Sequence, residues 1–277
     1  MCRLLGVTRS GFYSYQKRQR QRPHYEPSYK EMLNWVIKVA ESSKFTYGTR
    51  RMKKALNALG YPVGRNKTRS LMREANVFVR YRKKYRVTTN SNHKQPIFEN
   101  ILNRQFQTNE PDRVYVSDIT YIWTHEGWLY LTVMIDLFSR KVVGWSMDER
   151  MNANVVCNAL TMAIWQRKPR PGLIVHSDRG SQYASKQYRY LLKQYNCVGS
   201  MSRKGNCWDN SVAESFFSRL KEERIRWRNY QTRWEAKQDI LNYIAMFYNS
   251  QRLHSFLGYQ SPSQFENLYW NSMKKVA

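Results

Sequence analysis

Three acidic residues stand at places where chemistry can be done. Asp118 lies inside VSDIT, in a run of β-branched and aromatic residues where Asp is disfavoured. Asp178 follows the short apolar run LIVHS, and Glu214 sits near the start of a helical stretch, in WDNSVAESFF. Thirty-five residues separate the last two. Carboxylates in this order suit phosphodiester cleavage, which builds charge on both the attacking and the leaving oxygen. Two Mg²⁺ (or Mn²⁺) ions about 3.5–4 Å apart in one active site would stabilise that charge, and such hard cations take oxygen ligands. One aspartate can bridge both ions while the other acids hold one each. Without metal the carboxylates would repel one another, so the cluster is poorly explained as structure alone. Each acid also has a plainer role. Asp118 can be an edge or turn acid, Asp178 a turn residue before Arg179-Gly180, and Glu214 the partner of Ser211 in a capping box. Jointly, their order and spacing favour catalysis. Asp136, in MIDLFSR, reads as a structural or supporting acid, and Asp209 as a loop or capping acid.

The elements that must position these acids change character along the chain. Up to about Lys84 the pattern is helical: Met32, Trp35, Val36, Val39 and Ala40 recur at helical spacing. TRRMKKALNALGY runs from Gly48 to a glycine stop at Gly60. RNKTRSLMREANV follows after the turn YPVG. Two short helices around a tight glycine-containing turn predict a helix-turn-helix within residues 1–80. Residues 81–110, with RKKYR and VTTNSNHKQP, lose periodicity and read as a basic linker. From residue 111 the pattern turns to strands. RVYVSDITYIWT, WLYLTVMID, KVVGWSM, LIVHSD and CVGSM are five, the first two joined at Glu126-Gly127. Helices are expected over about Asn154–Gln166, in SKQYRYLLKQY and SVAESFFSRLKEERI, and from near Trp234 to Tyr248. Three meandering strands followed by alternating helices and strands predict an α/β core with a mixed sheet. Its first and fourth strands can then lie side by side and bring the three acids to one edge.

The formal net charge is +27. Residues 1–110 hold 24 Lys and Arg against 6 Asp and Glu. An excess of this size implies a polyanionic partner, and nucleic acid is the first choice. The basic residues do not line one amphipathic helix of the kind that binds membrane surfaces. No apolar run of about 18 residues predicts a membrane span, and MCRLLGVTRSGFYSYQKR lacks the apolar core of a signal peptide, so a cytoplasmic location is expected. Cys2, Cys157, Cys197 and Cys207 form no C-x-x-C pair, and the five histidines are dispersed, so no zinc site is expected.

DITYI, MIDLFSR, HSDRGSQY, SRKGNCWDNSVAESFFSRLKEE and YNSQRLHSFLGYQSP together resemble the core of OrfB-type transposases of the IS-three insertion-sequence family, within the DDE integrase/transposase superfamily that includes retroviral integrases. The resemblance spans essentially the whole chain and is densest over residues 112–265. It implies a ribonuclease-H-like integrase core, residues 111–277, with a C-terminal helical extension and a small helix-turn-helix domain ahead of it. The family's acidic triad falls on Asp118, Asp178 and Glu214. Its basic residue seven positions after the glutamate falls on Lys221. The zinc-binding N-terminal domain of retroviral integrases has no counterpart among these residues. The implied activity is metal-dependent cleavage of insertion-sequence ends and transfer of the freed 3′-OH into DNA, with no covalent protein–DNA intermediate. The implied partners are DNA ends and target DNA, further copies of the chain on DNA, and an OrfA protein that is often fused by frameshifting. The implied setting is bacterial and nucleoid-associated. A nuclease of the same fold and a non-catalytic DNA-binding regulator are the alternatives.

Two sets of residues are expected to touch DNA. Arg65, Lys67, Arg69 and Arg73 fall on the second helix of the helix-turn-helix, where they can read bases or grip phosphates. Lys221 lies two turns from Glu214 on a helix whose apolar stripe is Ala213, Phe216, Phe217 and Leu220, so the two share a flanking face. It is expected to hold DNA next to the scissile phosphate.

Overall fold

The alternation in RVYVSDITYIWT builds β1 (Val114–Thr124), which pairs antiparallel with β2 (Gly127–Asp136) along ten residue pairs. The structure, a computed structural model, describes residues 6–20, 29–79 and 95–276. β2 pairs antiparallel with β3 (Val142–Asp148), while β4 (Ile174–Ser177) and β5 (Val198–Met201) continue parallel from the other side of β1. The five strands form one mixed sheet in the order β3-β2-β1-β4-β5. The mixed five-stranded sheet expected from the sequence is therefore present.

Pairing register decides which side chains share a face. Tyr115, Ser117 and Ile119 of β1 face the same way as Met134 of β2. That face carries the main core, formed with α5 (Ala153–Arg167), the single turn α6 (Ser181–Ala184) and α7 (Lys186–Gln194). Gly144 lets α5 approach β3 closely, since a Cβ there would stand 2.3 Å from the Ala159 carbonyl oxygen. Val116, Asp118, Thr120 and Ile122 look to the opposite face with Leu129, Leu131, Val133 and Ile135. α8 (Ser211–Glu223) lies against β1, and α9 (Arg233–Asn242) against β1 and β2. α9 passes at Tyr243–Tyr248 into π-helical turns, where one continuous helix was expected. α10 spans Pro262–Val276.

Residues 81–94 of the expected linker lie outside the described residues. From Phe98 on, the same stretch is docked on the sheet. The Phe98 ring lies where any Cβ on Gly199 would have to be, at 2.7 Å. The amides of Ile101 and Leu102 donate to Ser200 Oγ, and Leu102 is buried. Isolated anchors hold this part without any periodic pattern.

The chain divides at Val79/Arg80, and the unit before that point is helical. It contains α1 (Arg9–Arg20), α2 (Tyr29–Ser42), α3 (Thr49–Ala58) and α4 (Arg65–Glu74). Met32, Val36, Val39, Met52, Leu56, Leu71 and Met72 are among its buried apolar side chains. After α3, Gly60 takes φ +87° and the Tyr61 amide returns to the Leu56 carbonyl, the glycine stop that the sequence announces.

Candidate active site

β1 and β4 run parallel with Val114 opposite Ile174 and Val116 opposite His176. Continued by two residues, that register sets Asp118 beside Asp178. β4 pairs with β1 only over Val114–Val116, so the β1 edge from Asp118 onward is open on that side. α8 starts at this edge. Asn210 donates from Nδ2 to the Ser117 carbonyl oxygen at 3.0 Å, and Glu214 follows in the first turn. The capping box, the plainer alternative for Glu214, does not form. Asn210, and not Ser211, is the N-cap, and no side chain caps the helix there.

Asp118 and Glu214 both carry raised carboxyls. Burial, then Asp178, then Glu214 push the Asp118 carboxyl well above the ordinary carboxylate range. The Ile119 amide, 2.8 Å from Asp118 Oδ1, and the Lys221 ammonium work against that rise. Glu214 is also raised, by burial and then by Asp178. Asp178 is tied into a turn by the Gly180 amide at 2.9 Å. Beneath the aspartates the buried Tyr183 hydroxyl bonds to Ser117 Oγ at 2.8 Å. Among the described residues, no three His, Cys, Asp or Glu side chains already stand at metal-ligating separation. The donor set nonetheless suits a hard divalent cation: three carboxylates from three elements, with Asp118 raised by the charges of the other two.

Further contacts hold the site in place. His176, buried between Ser200 Oγ at 2.9 Å and Ser202 Oγ at 3.2 Å, ties β4 to β5 just before Asp178. Burial pushes it down to about 4, so it is neutral near pH 7. Asp209 is fully buried and anchors the loop before α8. It accepts from Arg203 Nε at 2.9 Å and Nη2 at 2.8 Å, from Arg104 Nε at 2.8 Å and from Asn100 Nδ2 at 2.9 Å. At the far end of α8, Arg252 grips Glu223 through Nε at 2.7 Å and Nη2 at 2.6 Å, and Tyr243 donates to the same carboxylate. Asp136 is structural, as expected: it accepts from the Ser139 amide and hydroxyl and from the Asp112 amide. Lys221 does not pair with its neighbours Glu222 and Glu223. Its ammonium lies 5.0 Å from the centre of the Tyr121 ring, half-buried, within reach of the Asp118 field.

Comparison with known proteins follows the same division of the chain. Two family models described as "Integrase core domain" match residues 108–207 and 214–269, and an "HTH-like domain" model matches residues 28–85. "Transposase InsF for insertion sequence IS3A" of Escherichia coli (strain K12) is 42% identical over 268 residues, 96% of this chain and 93% of that protein. The chain belongs to the IS3, or IS-three, family of insertion-sequence transposases. "Insertion element IS600 uncharacterized 31 kDa protein" of Shigella sonnei is likewise 42% identical, across 97% of this chain and 98% of its own. Among solved structures, the HTLV-2 integrase catalytic core in complex with magnesium (trimeric form) matches 57% of this chain and 97% of its own, at 15% identity and a TM-score of 0.45.

In this transposase the residues expected to read DNA divide. Arg65, Lys67, Arg69 and Arg73 are all exposed on α4, whose buried face is Thr68, Leu71 and Met72. At about 100° per residue, Arg65, Arg69 and Arg73 form one row, while Lys67 falls on the opposite flank beside Glu74. Glu74 itself accepts from the Tyr29 hydroxyl. No helix among the described residues is long and apolar enough to cross a membrane.

Proposed function

We propose that this transposase cleaves the ends of its insertion sequence and joins the freed 3′-OH to DNA by direct phosphoryl transfer, with Asp118, Asp178 and Glu214 as the catalytic carboxylates. What supports the reading is that Asp118 on β1 is raised by the charges of both Asp178, at the end of β4, and Glu214, in the first turn of α8. They would hold Mg²⁺ or Mn²⁺, two ions per site. Bound there, such ions would stabilise charge on the attacking and leaving oxygens. The chain's own residues do the rest. Asn210 fixes the Glu214 helix to the Asp118 strand. Tyr183 and Ser117 support the aspartates from below. Lys221 offers a cation to a phosphate beside the carboxylates.

The Arg65–Arg69–Arg73 row would dock terminal repeats, and the basic excess would hold the backbone of end and target DNA. Assembly with further copies, and with an OrfA protein, belongs to the same proposal. The test is incubation with candidate transposon ends and Mg²⁺ or Mn²⁺, with cleaved and joined products mapped. Joining that persists after Asp118→Asn would sink the assignment. Cleavage without joining would mark a nuclease, and binding with neither would mark a regulator.

A further inference from the structure

The β1–β2 hairpin carries an aromatic ladder that the carboxylate chemistry does not use. Trp123 lies opposite Trp128 in the pairing register, and Tyr121 stands diagonal to Trp128 on the same face. Ring centres are 4.9 Å apart for Trp123–Trp128 and 5.0 Å for Tyr121–Trp128. Cross-strand aromatic pairs of this kind commonly stabilise a hairpin by burying one another. Here 55% of Trp123 and 43% of Trp128 remain open to solvent. On the same sheet face nearer the core, Tyr115 and Met134 are fully buried. The exposure of two indoles is therefore local to the hairpin's outer end.

The ladder's inner end is cationic. Lys221 lies over Tyr121 at 5.0 Å, and Arg226 is close enough for its charge to act on Lys221. Tyr121 is three residues beyond Asp118, about 10 Å along the strand, and the odd spacing sets it on the other sheet face, so ladder and carboxylate meet only around the open edge of β1. At the outer end the Arg233 guanidinium donates to the Trp128 carbonyl oxygen at 3.1 Å and fixes that strand. Two exposed indoles, set edge-on to one another and leading through Tyr121 to a cation beside the site, suit one occupant: unpaired DNA, whose bases stack and whose phosphates are anionic.

We propose that Tyr121, Trp128 and Trp123 form a stacking platform for unpaired nucleotides of the DNA end held at the Asp118 site, with Lys221 taking the neighbouring phosphate. This rests on the functional reading above for the identity of the DNA, but the platform's own chemistry can be read without cleavage. A duplex with a short single-stranded extension carrying 2-aminopurine is compared with the blunt duplex of the same sequence, using the full chain without divalent metal. The parent is expected to bind the extended end about tenfold more tightly than the blunt one and to quench the 2-aminopurine, as one stacked base allows. Trp123→Leu/Trp128→Leu should lose the preference and the quenching while binding blunt duplex as before. Trp128→Phe should keep both. If the double variant unfolds, Trp123→Leu at the more exposed indole carries the test.

An unchanged preference in the leucine variants overturns the proposal. So does a change confined to thermal stability, which would make the ladder a hairpin staple. A change confined to oligomeric state would make it a contact between copies and overturns it equally. Asp118→Asn should retain preference and quenching. A chain that stacks the extension yet neither cleaves nor joins ends would sink the proposed reaction and leave the platform standing. Active chains with no preference would do the reverse.

Discussion

Asn210 Nδ2 lies 3.0 Å from the carbonyl oxygen of Ser117, so the helix that carries Glu214 is hydrogen-bonded to the residue just before Asp118. Both partners are buried. Asn210→Ala would leave the Ser117 carbonyl without this donor, which typically costs about 1–3 kcal/mol. It would also free the start of α8 at the open edge of β1. Urea titration should show the stability loss. End cleavage at a temperature where the variant is folded should fall further than the unfolded fraction accounts for. A variant equally stable and equally active would show that the bond does not position Glu214.

The raised carboxyls predict how the metal-free protein responds to pH. Asp118 and Glu214 both ionise at higher pH in the folded chain than in the unfolded one. Over that interval the folded state binds more protons, so stability falls as pH rises from the ordinary carboxylate range, about 4, through the raised values. Asp118→Asn removes one charge from the cluster. In chelator it should melt higher than the parent at neutral pH, with the difference shrinking toward pH 4. Cleavage and joining should vanish in Asp118→Asn, Asp178→Asn and Glu214→Gln, while binding of end DNA survives. A lower melting point for Asp118→Asn in chelator at pH 7 would contradict the mutual repulsion.

Asp209 behaves in the opposite sense. Arg203, with Arg104, holds its carboxyl well below the usual carboxylate range despite burial. Its ion pairs therefore contribute stability that is present above the ordinary Asp value and lost as pH falls toward the depressed one. Because Arg203 and Arg104 are nearly half exposed, the contribution is modest. Asp209→Asn should cost on the order of 1–3 kcal/mol at pH 7 and weaken the docking of residues 98–106. Hydrogen exchange should rise at Ile101 and Leu102. Unchanged protection there would show that Ser200 alone holds the segment.

The five strands and the order of the acids were legible because alternation and apolar runs are local signals. What escaped was non-local. Asp209 looks like a cap in DNSVAES because Arg203 meets it across an irregular loop and its second arginine, Arg104, lies 105 residues earlier. Glu223 looks like a solvated helix acid, yet Arg252, 29 residues on, makes it a buried anchor. Residues 98–106 carry no periodicity, since isolated anchors dock them: Phe98, two amides, and Asn100 and Arg104 on Asp209. The capping-box pattern at Ser211 was misleading because Asn210 had already taken the N-cap position, with its amide committed to Ser117.

The row on α4 should separate from its neighbour in a binding scan. Arg65, Arg69 and Arg73 point from one face, and Lys67 from the other flank. Alanine at a row position that reads a base should cost about 1–3 kcal/mol on matched ends and relax specificity at one base pair. Alanine at a phosphate contact should weaken matched and scrambled ends alike. Lys67→Ala should have the smallest effect of the four. A Lys67 effect larger than any arginine's would place the docking face elsewhere on the helix.

Lys221 joins the helix of Glu214 to the strand of Asp118. The two helix residues are two turns apart, about 10 Å by rise, and the lysine stem brings the ammonium over Tyr121 on β1. Burial lowers its proton affinity and the Asp118 field partly restores it. A charge so placed is poorly hydrated and available to a phosphate near the carboxylates. Lys221→Ala should weaken end binding and joining, and the slope of log affinity against log salt should fall by about one, as for one lost phosphate contact. Lys221→Arg should keep the charge and much of the activity. The lowered proton affinity adds a pH signature. End binding by the parent should decline earlier on the alkaline side than an ordinary surface lysine would allow, because the ammonium deprotonates first. The Lys221→Arg variant, charged throughout, should lose that alkaline limb. If Lys221→Ala joins ends at the parent's rate with an unaltered salt slope, the lysine is only a cap on the Tyr121 ring.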